Sequence, residues 1–285
     1  MRLVHLGNVV VDLVLTVDNL PERGGDALAG STDRATGGGF NVMAAASRLG
    51  IETSYYGVLG IGPFADQARV DLRREGIEFP QPQCPELDTG FVVVLVDGGG
   101  ERTFVTSPGA EATLSDFPAT SANDLVYVSG YSLLHAVNRE TLVRRLPELR
   151  GTVFFDPGPL VGQIPPDALE IAMSRADWVS CNAREAAVLG GEPAAARGVI
   201  VRLGPEGCRL GDQVVPGFAV EAVDLNGAGD AHSGAFLAAL AAGIEPLEAA
   251  RRANAAAAIA VTRRGPATGP TRAELDAFLR DYGGA

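Results

Sequence analysis

Short runs rich in β-branched residues alternate with helix-like runs through most of this chain. That alternation, with its short connections, restricts the fold more than any single residue does. Strand-like runs fall near 3–11, 53–59, 124–129, 152–156, 177–180 and 197–203. Helix-like runs lie between them at 40–49, 63–75, 139–149, 166–174 and 182–189. Strand and helix taking turns in this way builds a mostly parallel sheet with helices on both faces, an α/β class with three layers, α/β/α. Ligands of such a sheet bind beyond the carboxyl ends of its strands.

Two regions break the rhythm. Residues 13–35 read as two short strands joined by the turn PERGGD, and 90–106 read as a hairpin turning on DGGG. Neither suits a strand–helix–strand unit, so both are placed in a small β-sheet projecting from the core. Beside a pocket such a sheet is a lid, and its exposed face suits a contact between two copies of the chain. An immobile edge extension of the main sheet is the plainer alternative. After residue 203 short strands are expected at 207–211, 213–216 and 219–223, followed by helices at 228–242, 246–261 and 271–281. With no internal repeat or long linker, residues 1–285 read as one domain with the two lid segments inserted.

Charge and composition narrow the function classes. A net charge of -12 argues against a nucleic-acid binder, which needs a basic face, and leaves small ligands open. Cys84, Cys181 and Cys208 show neither a close pair nor metal-ligand spacing, and His5, His135 and His232 are scattered. The apolar N-terminus carries Gly7, Asn8 and Asp12 and lacks a cleavage pattern, so it reads as a strand and not a signal peptide. Apolar runs such as 255–261 are too short to cross a membrane, and the expected location is the cytoplasm.

The sharpest local feature is Asp224-Leu-Asn-Gly227-Ala228-Gly229-Asp230, where a strand gives way to an Ala-rich helix. Gly227 and Gly229 let the backbone turn tightly and present its N–H groups at a helix N-terminus, which favours an anion. Asp230 then sits in the first turn beside that anion. A carboxylate so placed suits removal of a proton from a hydroxyl as it attacks a phosphoryl group. By itself the segment equally reads as a helix whose first-turn Asp merely caps it.

The rest of the chain tips that balance. The D-x-x-G-A-G-D pattern at 224–230 follows GGGFNVMAAASRLG at 37–50, TG at 89–90, GER at 100–102, SPGA at 107–110, Asn182-x-x-Glu185 and LGPEG at 203–207. In kind and in order these resemble the ribokinase-like, or PfkB, family of carbohydrate kinases, and they span nearly the whole chain. The resemblance implies transfer of the γ-phosphoryl group of ATP to a hydroxyl of a sugar or sugar-like molecule. Asp230 would be the general base, with the backbone at Gly227, Ala228 and Gly229 as the anion hole. Asp12 and Asn41 would hydrogen-bond the acceptor, with Gly38 and Gly39 allowing close approach. Asn182 and Glu185 would organise the triphosphate and its Mg²⁺, Glu185 partly through water. Gly204 and Gly207 would border the nucleotide, with Asn254 near the adenine. A homodimer through the lid is a further implication.

Plainer readings stand beside these. Asp12 in an apolar strand is costly without a partner, which favours function. Asn182 with Glu185 also reads as a capping box, Gly37 to Gly39 as an ordinary loop, and Asn254 as a core asparagine. The chain also departs from the family. Where ribokinases proper tend to have Gly-Gly-Lys-Gly-Ala-Asn, this chain has Gly37-Gly38-Gly39-Phe40-Asn41, with no lysine. Arg202 stands where many members carry threonine, and is either a cation for ATP phosphates or a surface arginine. Some members bind a monovalent cation such as K⁺. Here Gly269 stands at its serine ligand position, leaving backbone groups near Asn226 and Gly265.

Three other readings remain. A nucleoside kinase shares the fold and loop, and Ser129-Gly-Tyr131 suits either acceptor. A phosphorylated sugar would need extra lid cations, for which Arg34 and Arg102 are the candidates. A dehydrogenase is disfavoured, because no GxGxxG follows the first strand. A non-catalytic sugar sensor is disfavoured by the intact Asp230.

Overall fold

The computed structural model describes residues 1–191 and 195–282. Its main sheet has eight strands: β1 (Arg2–Leu6), β4 (Glu52–Tyr55), β7 (Asp124–Ser129), β8 (Thr152–Asp156), β9 (Trp178–Asn182), β10 (Gly198–Arg202), β11 (Gly207–Leu210) and β12 (Gln213–Pro216), in the order β12-β11-β10-β9-β8-β7-β1-β4. The six strands from β10 to β4 are parallel, and β11 and β12 close one edge as an antiparallel hairpin.

Period-two alternation sorts the strand residues between two helical layers. Leu3, Tyr127, Phe154, Trp178 and Ile200 face α1 (Gly39–Arg48), α7 (Ala228–Ala241), α8 (Pro246–Val261) and α9 (Arg272–Tyr282). Their neighbours Val4, Val126, Val153, Phe155, Val179 and Val201 face the other way. They pack with α4 (Ala136–Arg145), α5 (Pro166–Arg175) and α6 (Ala183–Val188). Phe236 on α7 is fully buried between Phe154 and Trp178, with ring centroids 6.1 and 5.2 Å away. Its truncation to Ala would cost about 3–5 kcal/mol. α2 (Pro63–Arg74) packs beside the second, smaller sheet.

That small sheet is built from β2 (Val9–Thr16), β3 (Ser31–Gly38), β5 (Phe91–Val96) and β6 (Arg102–Ser107), in the order β3-β2-β5-β6. The hairpin over 90–106 is as expected. The first expected strand, 3–11, is in fact two. β1 ends at Leu6, the chain breaks at Gly7–Asn8, and β2 enters the small sheet from Val9. A Cβ on Gly7 would lie 2.2 Å from the His5 ring, so this sharp exit needs glycine. Asp12 therefore belongs to the small sheet and not to the first core strand.

Two smaller differences have local causes. The strand expected at 219–223 is a largely exposed loop, and the amides of Val223 and Asp224 bond the Val261 carbonyl instead. A five-residue helix, α3 (Gly130–Leu134), precedes α4 and is too short to show periodicity in sequence. Among the described residues no disulfide joins any of the three cysteines. No described helix is long and apolar enough to cross a membrane.

Candidate active site

The carboxyl ends of β7 to β10 and the N-terminus of α7 meet on one side of the main sheet, with the small sheet over them. α7 begins immediately after Gly227, whose φ of 74° is left-handed. A Cβ there would lie 1.8 Å from the Pro266 carbonyl oxygen, so only glycine fits against the 264–269 loop. Asp224 braces the turn. Its carboxylate accepts the N–H of Asn226 at 2.7 Å and of Gly265 at 3.1 Å, and pairs with Arg102 at the start of β6. Burial opposes ionisation of Asp224, but these donors together hold its carboxyl below the usual carboxylate value.

Asp230 sits in the first turn of α7, at the N-terminal end of the helix. Asn41 on α1 donates to it, Nδ2 to Oδ2 at 3.0 Å. Helices α1 and α7 approach closely enough for this because Gly234 packs against the Val42 carbonyl, where a Cβ would come within 2.5 Å. Burial pushes Asp230 up to about 6; Asp156 adds to the rise, while Asn41 and Arg202 oppose it.

Asp12 projects from β2 toward the same place. Burial, followed by the charge of Asp230, raises it to about 6 as well. Both carboxyls are thus held above their ordinary value, each by burial first. Tyr131 on α3 completes this group. Its hydroxyl is pushed up to about 12 by burial and then by the charges of Asp230, Asp156, Glu185 and Asp12.

The structure explains the glycines of 37–39 by protein packing. A Cβ on Gly37 would strike the Asp12 carboxylate at 2.4 Å. One on Gly38, with φ at 63°, would meet the Asn8 carbonyl at 2.9 Å, and one on Gly39 the His5 ring at 2.1 Å. His5 is fully buried against Tyr127, and burial lowers it to about 3, so it is neutral.

On the neighbouring strands, Asn182 caps α6 by accepting the Glu185 N–H, and Glu185 returns by accepting the Asn182 N–H, both at 2.8 Å. The capping box is complete. Glu185 is raised by burial and then by Asp156. Arg202, at the end of β10, is no surface arginine. It donates to Asp156 at 2.9 Å, to Ser180 at 2.6 Å and to Glu185 at 3.4 Å, and its Cζ lies 3.6 Å from where a Cβ on Gly229 would stand. Burial alone would lower Arg202, but the two carboxylates more than offset this and raise it. Gly204, with φ at 63°, has open space on its side-chain face, while Gly207 is pinned against the Val215 carbonyl.

Asn254 lies farther back. It donates to the Val215 and Pro216 carbonyls at 2.9 and 3.1 Å, and its oxygen meets His232 Nε2 at 3.2 Å. Both amide hydrogens are therefore used by the protein, tying α7 and α8 to β12. Of the two arginines considered for a phosphorylated acceptor, Arg34 is exposed and alternates onto the face away from Asp12, and Arg102 is held by Asp224.

Sequence reasoning passed over Asp156. Its Oδ1 accepts the Gly158 N–H at 3.0 Å and its Oδ2 meets Arg202, at the centre of the group. The available signal was an acidic residue before Pro-Gly at the carboxyl end of an expected parallel strand. Ser180 and the pairing of Arg102 with Asp224 carried no such signal.

Similarity to known proteins agrees with this geometry. A family model described as pfkB family carbohydrate kinase matches residues 1–273. The chain is 34% identical to an uncharacterized sugar kinase of Escherichia coli, YegV, over 95% of this chain and 91% of that one. It is 31% identical to an ATP-dependent ribose-1-phosphate kinase of Halopiger xanaduensis, over 99% of both chains. Its structure resembles that of an uncharacterized sugar kinase from Pyrococcus horikoshii, PH1459, in complex with ATP. The TM-score is 0.83, the identity 25%, and 98% of this chain and 97% of that chain are covered. With a parallel sheet, a small β-sheet over its carboxyl edge and a Gly-Ala-Gly-Asp helix start in family order, the chain belongs to the pfkB family of carbohydrate kinases.

Proposed function

We propose that this kinase transfers the γ-phosphoryl group of ATP to a hydroxyl of a sugar or sugar-like acceptor, with Asp230 as general base. The observation that carries the proposal is the placement of the Asp230 carboxylate, oriented by Asn41 in the first turn of α7. The acceptor O–H bond breaks and its proton passes to Asp230. The acceptor oxygen bonds to phosphorus as the bridging P–O bond breaks, and that electron pair leaves on ADP. N–H groups of residues 227–229 face the charge on the transferred group.

Asp12 and Asn41 hold the acceptor. The Oδ1 of Asn41 is buried without a hydrogen-bond partner, which an acceptor hydroxyl would satisfy. On the other side Arg202, Gly204 and the Asn182–Glu185 pair border the triphosphate, and Gly207 and Asn254 support them from behind. Among the described residues no group of three acidic, His or Cys side chains forms a metal cage. That fits Mg²⁺, which keeps waters and substrate phosphates as ligands; Glu185 and Asp156 would act on it through water. Both Asp224 oxygens are engaged by protein donors, so activity is expected without K⁺.

Residues 1–285 act as one unit in this reading, and the small sheet is the lid. Exposed Val105 on its outer face supports a homodimer through that face, to be checked by light scattering. A second reading, a nucleoside acceptor, is favoured by Tyr131 and by the row of Val10, Val92 and Val94 beside Asp12, which would suit an apolar base.

The test is ADP release from Mg-ATP against pentoses, hexoses, phosphosugars and nucleosides. Turnover on one class, lowered at least about 10²-fold by Asp230→Asn, supports the reading and names the acceptor. Acceptor binding without turnover in the wild type would move the assignment to a sensor.

A further inference from the structure

The chain contains no lysine, so its 23 cationic side chains are all arginines. Three of them lie in the lid segments: Arg23, Arg34 and Arg102. Arg23 is exposed in the connection between β2 and β3, and Arg34 faces outward. Arg102 differs. In register it stands opposite Val96, in the row that alternates with Asp12, so its side chain leaves the small sheet on the pocket side. There it meets Asp224, with only 23% of the arginine side chain and 13% of the aspartate exposed.

The Asp224 carboxylate does three things at once. It binds the lid through Arg102, the start of the Gly-Ala-Gly-Asp turn through the Asn226 N–H, and the 264–269 loop through the Gly265 N–H. The same 264–269 loop closes on Gly227 through the Pro266 carbonyl. Moving Arg102 away would leave a part-buried carboxylate without the cation it pairs with, and the turn it organises is the one that presents the anion hole. On the acceptor side, the charge that acts on Asp12 is the carboxylate of Asp230.

We propose that Arg102 is a positioning residue that fastens the lid to the anion-hole turn through Asp224, and that it does not read an anion on the acceptor. This rests on the kinase reading for its catalytic consequence and on geometry alone for the fastening. Lid closure and assembly of the anion hole are then one event, and the acceptor is uncharged where it passes Arg102.

Arg102→Ala and Arg102→Lys test this, since both change a part-exposed residue outside the core. Arg102→Ala should lower kcat about 10- to 100-fold for every acceptor used. KM for neutral and phosphorylated sugars should keep their wild-type ratio, and millimolar guanidinium should restore part of kcat. Arg102→Lys should recover less than guanidinium does, because a single ammonium lacks the planar fork. Hydrogen exchange gives a second readout independent of turnover. In Arg102→Ala the hairpin 91–107 and the amides of 225–229 and 265 should lose protection together. A loss confined to KM for phosphorylated acceptors would overturn the proposal, as would exchange that loosens the hairpin and leaves 225–229 unchanged. If no acceptor turned over in the wild type, the kinase reading would fall, and the exchange result would still decide the fastening.

Discussion

Asn41 and Asp230 stand 189 residues apart in the chain, and a 3.0 Å hydrogen bond joins them across the α1–α7 contact. The asparagine that the family pattern assigns to the acceptor therefore also aims the proposed base. Asp230→Asn should keep the fold and nucleotide binding and lower kcat by about 10²–10⁴-fold, the usual contribution of a positioned base. Asn41→Ala should lower kcat and raise the acceptor KM together, since one side chain serves both. Single-turnover kinetics with calorimetric ATP binding separate these effects; a normal kcat in Asp230→Asn would remove the assigned base.

The acidic pair sets the pH dependence. Asp12 and Asp230 both titrate near 6 when folded, above their ordinary value of 3.8. A raised carboxyl favours the folded state while protonated. That contribution is complete below the unfolded value and is lost as pH rises through about 6. Stability should thus decline across this window while kcat/KM, which needs ionised Asp230, climbs. The two groups interact, so the limb belongs to the pair. Asp12→Asn should flatten the decline and raise Tm at pH 7 by about 2–4 °C. A melting temperature that does not change between pH 4 and 7 in the wild type would contradict this.

Arg202 separates Asp156 from Glu185, at 2.9 and 3.4 Å. Arg202→Ala would leave two carboxylates close together without their cation, a loss of about 3–5 kcal/mol for a buried pair. KM for ATP should rise as well. Arg202→Lys should recover only part of the stability, because one ammonium cannot span Asp156, Ser180 and Glu185. Urea unfolding of the three proteins decides it: an unchanged midpoint in Arg202→Ala would mean that the network contributes nothing.

Asn254 gives a contrasting expectation. Its amide is spent on Val215, Pro216 and His232, so Asn254→Ala leaves buried carbonyls unpaired and should cost about 1–3 kcal/mol. KM for ATP should change by no more than about twofold. A large rise in that KM at unchanged stability would restore a direct nucleotide contact.

Much of the architecture was written locally. Periodicity placed α1, α2 and α5 within a residue or two, and α8 over 246–261, where Pro246 starts the helix. The hairpin over 90–106 followed from DGGG between two β-rich runs. The run at 3–11 concealed two strands because its apolar residues are continuous, and only the exit at Gly7–Asn8 divides them. The loop at 219–223 looked like a strand, but the amides of Val223 and Asp224 go to the Val261 carbonyl and not to a strand.

The site divides in the same way. Gly227, Gly229 and Asp230 are contiguous, so a helix N-terminus with a first-turn carboxylate is already determined by order along the chain. The same holds for the capping box of Asn182 and Glu185. What the sequence could not decide is which distant groups meet that turn. Arg202 joins Asp156 and Glu185 only because β8, β9 and β10 are neighbours in the sheet. Arg102 reaches Asp224, 122 residues away, only because β6 is the edge strand of a sheet lying over the α7 N-terminus. Asn254 is drawn inward by two strand carbonyls that need donors. Local patterns are set by hydrogen-bond periodicity within a few residues. Charge pairing and desolvation depend on distance in space, and strand order and packing in the tertiary structure determined those distances.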